Sequence, residues 1–142
     1  MEPLERLSFF IKEMLEWEVS FDSQRRLLKG RSVDPVFMQN LVGDARRRVF
    51  DIFQKNLSEA ALKSRALSRL DTLSTARPPA FAQEIIPIVE KRGRFFYIET
   101  INERDVVKRR RYAIVVENGD AKVDRLYVWY ESLGKWKSQE SI

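Results

Sequence analysis

Two hydrophobic periodicities divide this chain of 142 residues. Up to about residue 62, apolar residues recur every three or four positions, the spacing that places them on one face of an α-helix. From residue 84, apolar and β-branched residues form short runs between turn residues, which is typical of β-strands. The pattern predicts one domain over residues 1–142, mainly helical over 1–71 and mainly stranded over 83–138. Its fold class is α+β, with N-terminal helices packed on a curved, mostly antiparallel sheet of four or five strands.

The helical part is predicted to contain two principal helices. The first begins near Pro3, ends between residues 24 and 30, and buries an apolar stripe against the sheet: Leu7, Phe10, Ile11, Met14 and Leu15. The second follows Asp34 and Pro35, because Asp caps helices and Pro is tolerated in a first turn. Gly43 is expected to bend or divide this second helix.

Four apolar runs predict the strands, at residues 84–90, 94–100, 109–117 and 124–131, with a short final strand around Trp136. Asn118 and Gly119 form a tight-turn signal between the third and fourth runs. Pro87 lies inside the first run and predicts an edge strand or a bulge, because proline has no N–H to donate.

Side-chain alternation assigns the two faces of the later strands. Tyr112, Ile114 and Val116 are predicted on the core face of the third run, and Ala113 and Val115 on the other face. The fourth run is apolar at both parities, so it is either covered on both sides or presents an aromatic surface to a partner. Its predicted core-face residues are Leu126, Val128 and Tyr130.

The absence of cysteine and histidine removes whole classes of chemistry. Without them there is no disulfide framework, no Cys-ligated zinc, no Ser-His-Asp triad and no Cys-His pair. Catalysis by a carboxylate, Lys or Tyr remains open, and the candidate carboxylates are Asp71, Glu99, Glu103 and Asp105. The sequence predicts that the protein is not an enzyme and that it uses neither a cofactor nor a metal ion.

The cytoplasm is the expected location, and no membrane partner is expected. No apolar run reaches the length of about 18 residues that a bilayer-spanning helix needs. The N-terminus carries Glu2 and Glu5 where a signal peptide would carry basic residues.

One strand face is predicted to bind a partner. Arg109 and Arg111 share a parity in the basic run 108–111, and Tyr127 and Trp129 share the non-core parity of the next strand. Two arginines offer charge-assisted hydrogen bonds to carboxylates, and the two aromatic residues offer anchors. The basic turn at Arg92 and Arg94 is expected on the rim of this face. The alternative is that the cations are solvated and the aromatic residues pack in the core.

Several short segments resemble a known family. The order of elements is similar to the cone-shaped fold of nuclear transport factor 2 (NTF2), and the segments resemble the small bacterial immunity proteins that use that fold. These segments are residues 69–74 (RLDTLS), 78–81 (PPAF) leading into 84–86 (EII), 96–100 (FYIET), 111–116 (RYAIVV) and 134–137 (GKWK).

The resemblance implies an NTF2-like immunity protein that binds and neutralises a cognate bacterial toxin, without a cofactor or a catalytic residue. Two alternatives remain open. One is a basic nucleic-acid-associated domain, since the net charge is +5 and cations adjoin aromatic residues at 91–97. The other is a ligand-binding or enzymatic protein of the same fold. Homodimerisation through the sheet face also remains open.

Overall fold

The computed structural model describes residues 1–64 and 66–142, apart from the side chains of residues 67 and 68. The described residues form four helices, which are α1 Pro3–Leu28, α2 Pro35–Asn56, α3 Glu59–Ser64 and α4 Ala66–Asp71. Five strands follow, which are β1 Glu84–Arg92, β2 Phe95–Ile101, β3 Arg109–Glu117, β4 Asp120–Tyr130 and β5 Lys135–Gln139. The predicted α+β class and the order of helices before strands are confirmed.

The strands form one open antiparallel sheet in the order β1-β2-β3-β4-β5. Asn118 and Gly119 close the β3–β4 hairpin with φ angles of 52° and 78°, the left-handed conformation that Asn and Gly tolerate best. The register of β1 on β2 shifts between Ile85 and Val89, so the edge strand is irregular around Pro87, as predicted. One face of the sheet packs against the helices; we call the opposite face the outer sheet face.

The core lies between α1, α2 and the inner face of the sheet. Along α1, Leu7, Phe10, Met14, Trp17 and Phe21 are each at most 1% exposed, because their spacings of three and four keep them on one side of the helix. From the sheet, Ile98, Tyr112, Ile114, Val123 and Leu126 close the same core. Ile11 is also buried, whereas Leu15 is half-buried at the margin of the stripe.

Two charged side chains of α1 are also buried. The Arg6 guanidinium donates to the Ala121 carbonyl (2.6 Å), to Asn56 Oδ1 (2.8 Å) and to Asp120 Oδ2 (2.8 Å), which joins α1 to the end of α2 and to the β3–β4 hairpin. The Glu18 carboxylate accepts three backbone N–H groups from the segment before β1: Ala76 (3.0 Å), Ala80 (3.1 Å) and Phe81 (2.9 Å).

Some predicted details are wrong. The helix α2 continues through Gly43 without a break, because its capped start at Asp34 and its buried Ala45, Val49 and Phe53 belong to one continuous helix. Val116 was assigned to the core face but is 51% exposed, since it lies next to the turn that ends β3. Tyr130, at the end of β4, is exposed for the same reason.

Ala113 and Val115 are buried although they lie on the outer parity of β3. Arg125 pairs with Ala113 and Lys122 pairs with Val115, so longer side chains flank both small ones. Between these pairs the register shifts, and Asp124 is the extra residue of a β-bulge. Its buried carboxylate accepts from Ser58 Oγ (2.6 Å), the hydroxyl that also caps α3 through Ala61 N–H.

No helix in the described part of the chain combines the length and the hydropathy that crossing a bilayer requires.

Met14 and Leu15 are adjacent on α1 and allow a matched test of the packing. Met14→Ala should lower the free energy of unfolding by about 2–5 kcal/mol, because it deletes a fully buried side chain and leaves a cavity. Leu15→Ala should cost clearly less, since Leu15 keeps part of its surface in water. Urea unfolding of both variants measures the difference, and equal losses would contradict this orientation of α1.

The hydroxyl of Tyr112 donates to Gln83 Oε1 (2.9 Å) inside the core, and burial raises the pKa of this phenol. The folded protein therefore keeps the proton at a pH where the unfolded chain, with a tyrosine pKa of about 10, has lost it. Below that pH the ionisation of Tyr112 should not change the free energy of unfolding. Above it, the free energy of unfolding should fall as the pH rises. Urea unfolding between neutral and strongly alkaline pH should show this fall in the parent and a weaker fall in Tyr112→Phe.

Candidate functional site

The strand register brings the predicted binding residues onto one surface. Arg111 of β3 pairs with Tyr127 of β4, and Trp129 of β4 pairs with Trp136 of β5. Arg109 lies two positions before Arg111 and shares its face. All of these side chains project from the outer sheet face, and the two tryptophans and Tyr127 are half-buried.

The arginines and tryptophans are stacked on one another. The Arg109 guanidinium carbon lies 5.0 Å from the ring centroid of Trp129 and 5.2 Å from that of Trp136. The Arg111 guanidinium carbon lies 4.4 Å from the Trp136 centroid. The two indole rings are 5.3 Å apart, edge to face. Each stacking contact holds a guanidinium in a fixed orientation, because a cation is attracted to the face of an aromatic ring.

Glu99 of β2 joins the two arginines. It accepts a hydrogen bond from Arg109 at 2.9 Å through Oε1 and one from Arg111 at 3.4 Å through Oε2. We call Glu99, Arg109, Arg111, Trp129 and Trp136 the arginine–tryptophan cluster. Its formal charge is +1, and in the described part of the chain each guanidinium makes one hydrogen bond, to Glu99, although it carries five N–H groups.

A row of aromatic rings extends this cluster across the sheet. The Tyr127 ring lies 6.4 Å from that of Tyr97, which lies 6.1 Å from Phe95. A hollow of about 240 Å³ opens between the row and the cluster, and it is lined by Arg92, Tyr97, Arg111, Tyr127, Trp136 and Ser138. The outer sheet face therefore offers both a ridge of aromatic surface and a recess beside it.

The two rim arginines lie at this end of the sheet, as expected from the β1–β2 turn. Arg92 lines the hollow, and its guanidinium binds Glu90 (2.6 Å and 2.8 Å). Arg94 is exposed and lies over the Phe95 ring at 5.0 Å, where Arg125 approaches the same ring at 5.1 Å. The four residues predicted on the face thus share the outer sheet face, the two rim arginines lie beside it, and the role of all six in binding stays a prediction.

Sequence reasoning missed part of the site. It did not place Phe95, Tyr97 and Arg125 on this surface, and it treated Glu99 only as a candidate for chemistry. The parity of β2 carried the signal, because Ile98 is a core residue and its neighbours Tyr97 and Glu99 must then face outward.

The four candidate carboxylates are either paired with arginine or exposed to solvent. Glu99 is held by two arginines and Asp105 by Arg110 (2.8 Å), while Asp71 and Glu103 are exposed. Tyr112 is the buried phenol, and its partner is the Gln83 amide. Among the described residues no group of three or more carboxylates has the spacing of a metal site.

Comparisons of the chain with protein-family models, with curated proteins and with solved structures give no match.

The electrostatics of the cluster can be tested with the tryptophans themselves. Trp17 is 1% exposed, so collisional quenching of fluorescence reports on Trp129 and Trp136. Iodide should quench more than neutral acrylamide does, relative to free tryptophan, because the arginines attract an anion. Arg109→Gln should reduce iodide quenching and leave acrylamide quenching nearly unchanged. Equal loss with both quenchers would indicate that the rings had moved and would contradict the electrostatic explanation.

Proposed function

We propose that the chain is an NTF2-like immunity protein of a bacterial polymorphic toxin system, and that it binds and neutralises its cognate toxin in the cytoplasm through the outer sheet face. The observation that carries this proposal is the stacked arginine–tryptophan cluster, which lies on the side of the sheet opposite the helices. The resemblance of residues 69–137 to immunity proteins supplies the class of partner. Neutralisation by binding needs no catalytic group, cofactor or metal ion.

The composition of the cluster favours a protein partner. Trp, Tyr and Arg are enriched among the residues that dominate protein interfaces: Trp and Tyr bury much area at little cost in conformational entropy, and Arg offers several hydrogen-bond donors. Stacking and the Glu99 hydrogen bonds fix both guanidiniums before binding, which lowers the entropic cost of association. Each guanidinium keeps N–H groups that make no hydrogen bond within the described residues, and these suit carboxylates of an acidic toxin patch.

Single-stranded nucleic acid is the alternative ligand for an aromatic, basic sheet. Stacking of bases requires free ring faces, and here guanidiniums already cover faces of Trp129, Trp136 and Phe95. Glu99 and Glu90 also place negative charge within the surface that a phosphate backbone would have to follow. The geometry therefore supports an acidic protein over a nucleic acid.

The proposal predicts a large toxin-like gene immediately upstream of the gene for this protein, and the test measures binding to the product of that upstream gene. Trp129→Ala should weaken the complex by about 2 kcal/mol or more, which is about 30-fold in Kd, if Trp129 anchors the interface. Tyr130→Ala is the matched control, since Tyr130 is the next residue on the same strand and has the opposite parity. Isothermal titration calorimetry measures both, with circular dichroism confirming that each variant folds.

Arg109→Glu should mainly slow association and reduce its dependence on salt, because it reverses one charge of the steering surface. Lys108→Glu changes the same charge on an exposed neighbour of opposite parity and should have a smaller effect. Stopped-flow association at several ionic strengths distinguishes the two variants.

Two results would overturn the proposal. One is full protection of toxin-producing cells by the folded double variant carrying Trp129→Ala and Arg109→Glu, since the toxin would then dock elsewhere. The other is nucleic acid that co-purifies with the protein and leaves only at high salt. Light scattering on the purified protein shows in addition whether a second copy of the chain covers the outer sheet face.

A further inference from the structure

The tip of the α1–α2 helical hairpin has no core of its own. Between Ser23 and Asn40, a stretch that the structure describes in full, no side chain is buried and no apolar side chain packs against the core cluster. This stretch comprises the last turns of α1, the connection through Gly30 and the first turns of α2. The hairpin tip therefore extends beyond the packed part of the molecule, and folding of the core does not explain the choice of its side chains.

The hairpin tip is strongly basic. Residues 23–40 contain four Lys and Arg residues and one Asp, which gives +3 of the chain's net charge of +5. Arg25, Arg26, Lys29 and Arg31 line one shallow hollow at the tip together with Asp22 and the apolar Leu28, Val33 and Met38. Among the ion pairs of the described residues, Lys29 and Arg31 have none.

Apolar side chains surround the same tip on more than one side. Leu27 is 68% exposed, Val36 60% and Phe37 53%. Leu27 and Leu28 are consecutive, as are Val36, Phe37 and Met38, and consecutive positions on a helix point about 100° apart. The apolar surface is therefore not a single stripe, which a groove-binding protein partner would require. The exposed apolar groups point in several directions from the ends of the two helices, which suits contact with the interface of a bilayer.

We propose that the hairpin tip is a peripheral membrane-binding site that inserts Leu27, Val36 and Phe37 into the interface of an anionic phospholipid bilayer, with Arg25, Arg26, Lys29 and Arg31 at the level of the headgroups. Cations beside exposed apolar side chains are the combination that binds such surfaces, since the cations meet phosphate and serine carboxylate while the apolar groups enter the acyl boundary. A nucleic acid would contact the cations and leave the exposed apolar side chains of the hairpin tip in water. The contact is superficial, and it revises the expectation of no membrane partner, which rested on the lack of a spanning segment.

The first test measures binding of the full chain to vesicles of phosphatidylcholine alone and of phosphatidylcholine with phosphatidylserine, by flotation. Binding should be at least tenfold stronger to the anionic vesicles and should weaken with salt. The double variant Lys29→Glu with Arg31→Glu should weaken binding to the anionic vesicles by at least about fivefold for each cation removed. Lys12→Glu with Lys135→Glu is the control, because it makes the same change in net charge at exposed positions away from the tip.

The second test separates the apolar contribution from the charge. Leu27→Gln with Phe37→Gln keeps the net charge and should weaken vesicle binding about tenfold or more, whereas Val106→Gln with Leu133→Gln removes equally exposed apolar groups elsewhere and should leave it unchanged. Trp129→Ala should also leave it unchanged, because the outer sheet face does not take part.

Three outcomes would overturn the proposal. Equal binding to both vesicle types or to neither excludes an anionic bilayer as the ligand. Loss with the glutamate variant but not with the glutamine variant indicates a purely electrostatic patch of the kind that binds nucleic acid. Tighter capture of an acidic amphipathic peptide than of anionic vesicles identifies a protein partner instead.

Discussion

The position of α1 on the sheet depends on two buried charged side chains, Arg6 and Glu18. They lie twelve residues apart, about 18 Å along the helix, and each is held by several hydrogen bonds to a different part of the chain. A hydrophobic stripe alone would allow α1 to slide or rotate, since apolar contacts are not directional. Buried charges remove that freedom, because a shifted register would leave an unpaired charge in the core, at a cost of several kcal/mol.

These two contacts also organise the rest of the molecule. Arg6 joins α1 to the end of α2 and to the β3–β4 hairpin, so the helices and the middle of the sheet share one anchor. Glu18 fixes the segment before β1 through backbone hydrogen bonds. Gln83, at the end of that segment, accepts hydrogen bonds from the hydroxyls of Thr100 and Tyr112. The residues just before β1 are thus bonded to α1 through Glu18 and to β2 and β3 through Gln83. Because the helices pack on the inner face of the sheet, they leave the outer sheet face uncovered and available for binding.

The sequence predicted most of this architecture because the relevant signals are local. Stripe spacing, the cap at Asp34, the turn at Asn118 and Gly119 and the irregularity at Pro87 each depend on a few neighbouring residues. Arg109, Arg111, Tyr127 and Trp129 were grouped by parity alone, and antiparallel pairing then placed them together. Of the two effects expected of Gly43, a bend or a division of the helix, the division is wrong, because packing along α2 outweighs the low helix propensity of one glycine.

What the sequence could not predict depends on contacts between distant residues. The bulge at Asp124 changes the pairing parity of β4, and only the match of two strands reveals it. Nothing in the neighbouring sequence marks Arg6 and Glu18 as buried, since their partners lie fifty or more residues away. The parity of β2 indicates that Tyr97 faces outward, but its approach to Tyr127 depends on the register of β2 on β3 and of β3 on β4.

Glu99 gives the outer sheet face a selectivity that its two arginines alone would lack. Its carboxylate already occupies the space between the guanidiniums, so an incoming ligand with a single negative charge competes against a group of the same kind at very high effective concentration. That competition keeps small anions and isolated acidic side chains out of the position between the guanidiniums, although the net charge of the cluster still attracts them to the surface. A surface that brings several carboxylates at once, together with apolar area for Trp129 and Trp136, can use the remaining N–H groups without displacing Glu99. Glu99 therefore makes the outer sheet face selective for a complementary protein surface over a lone ion.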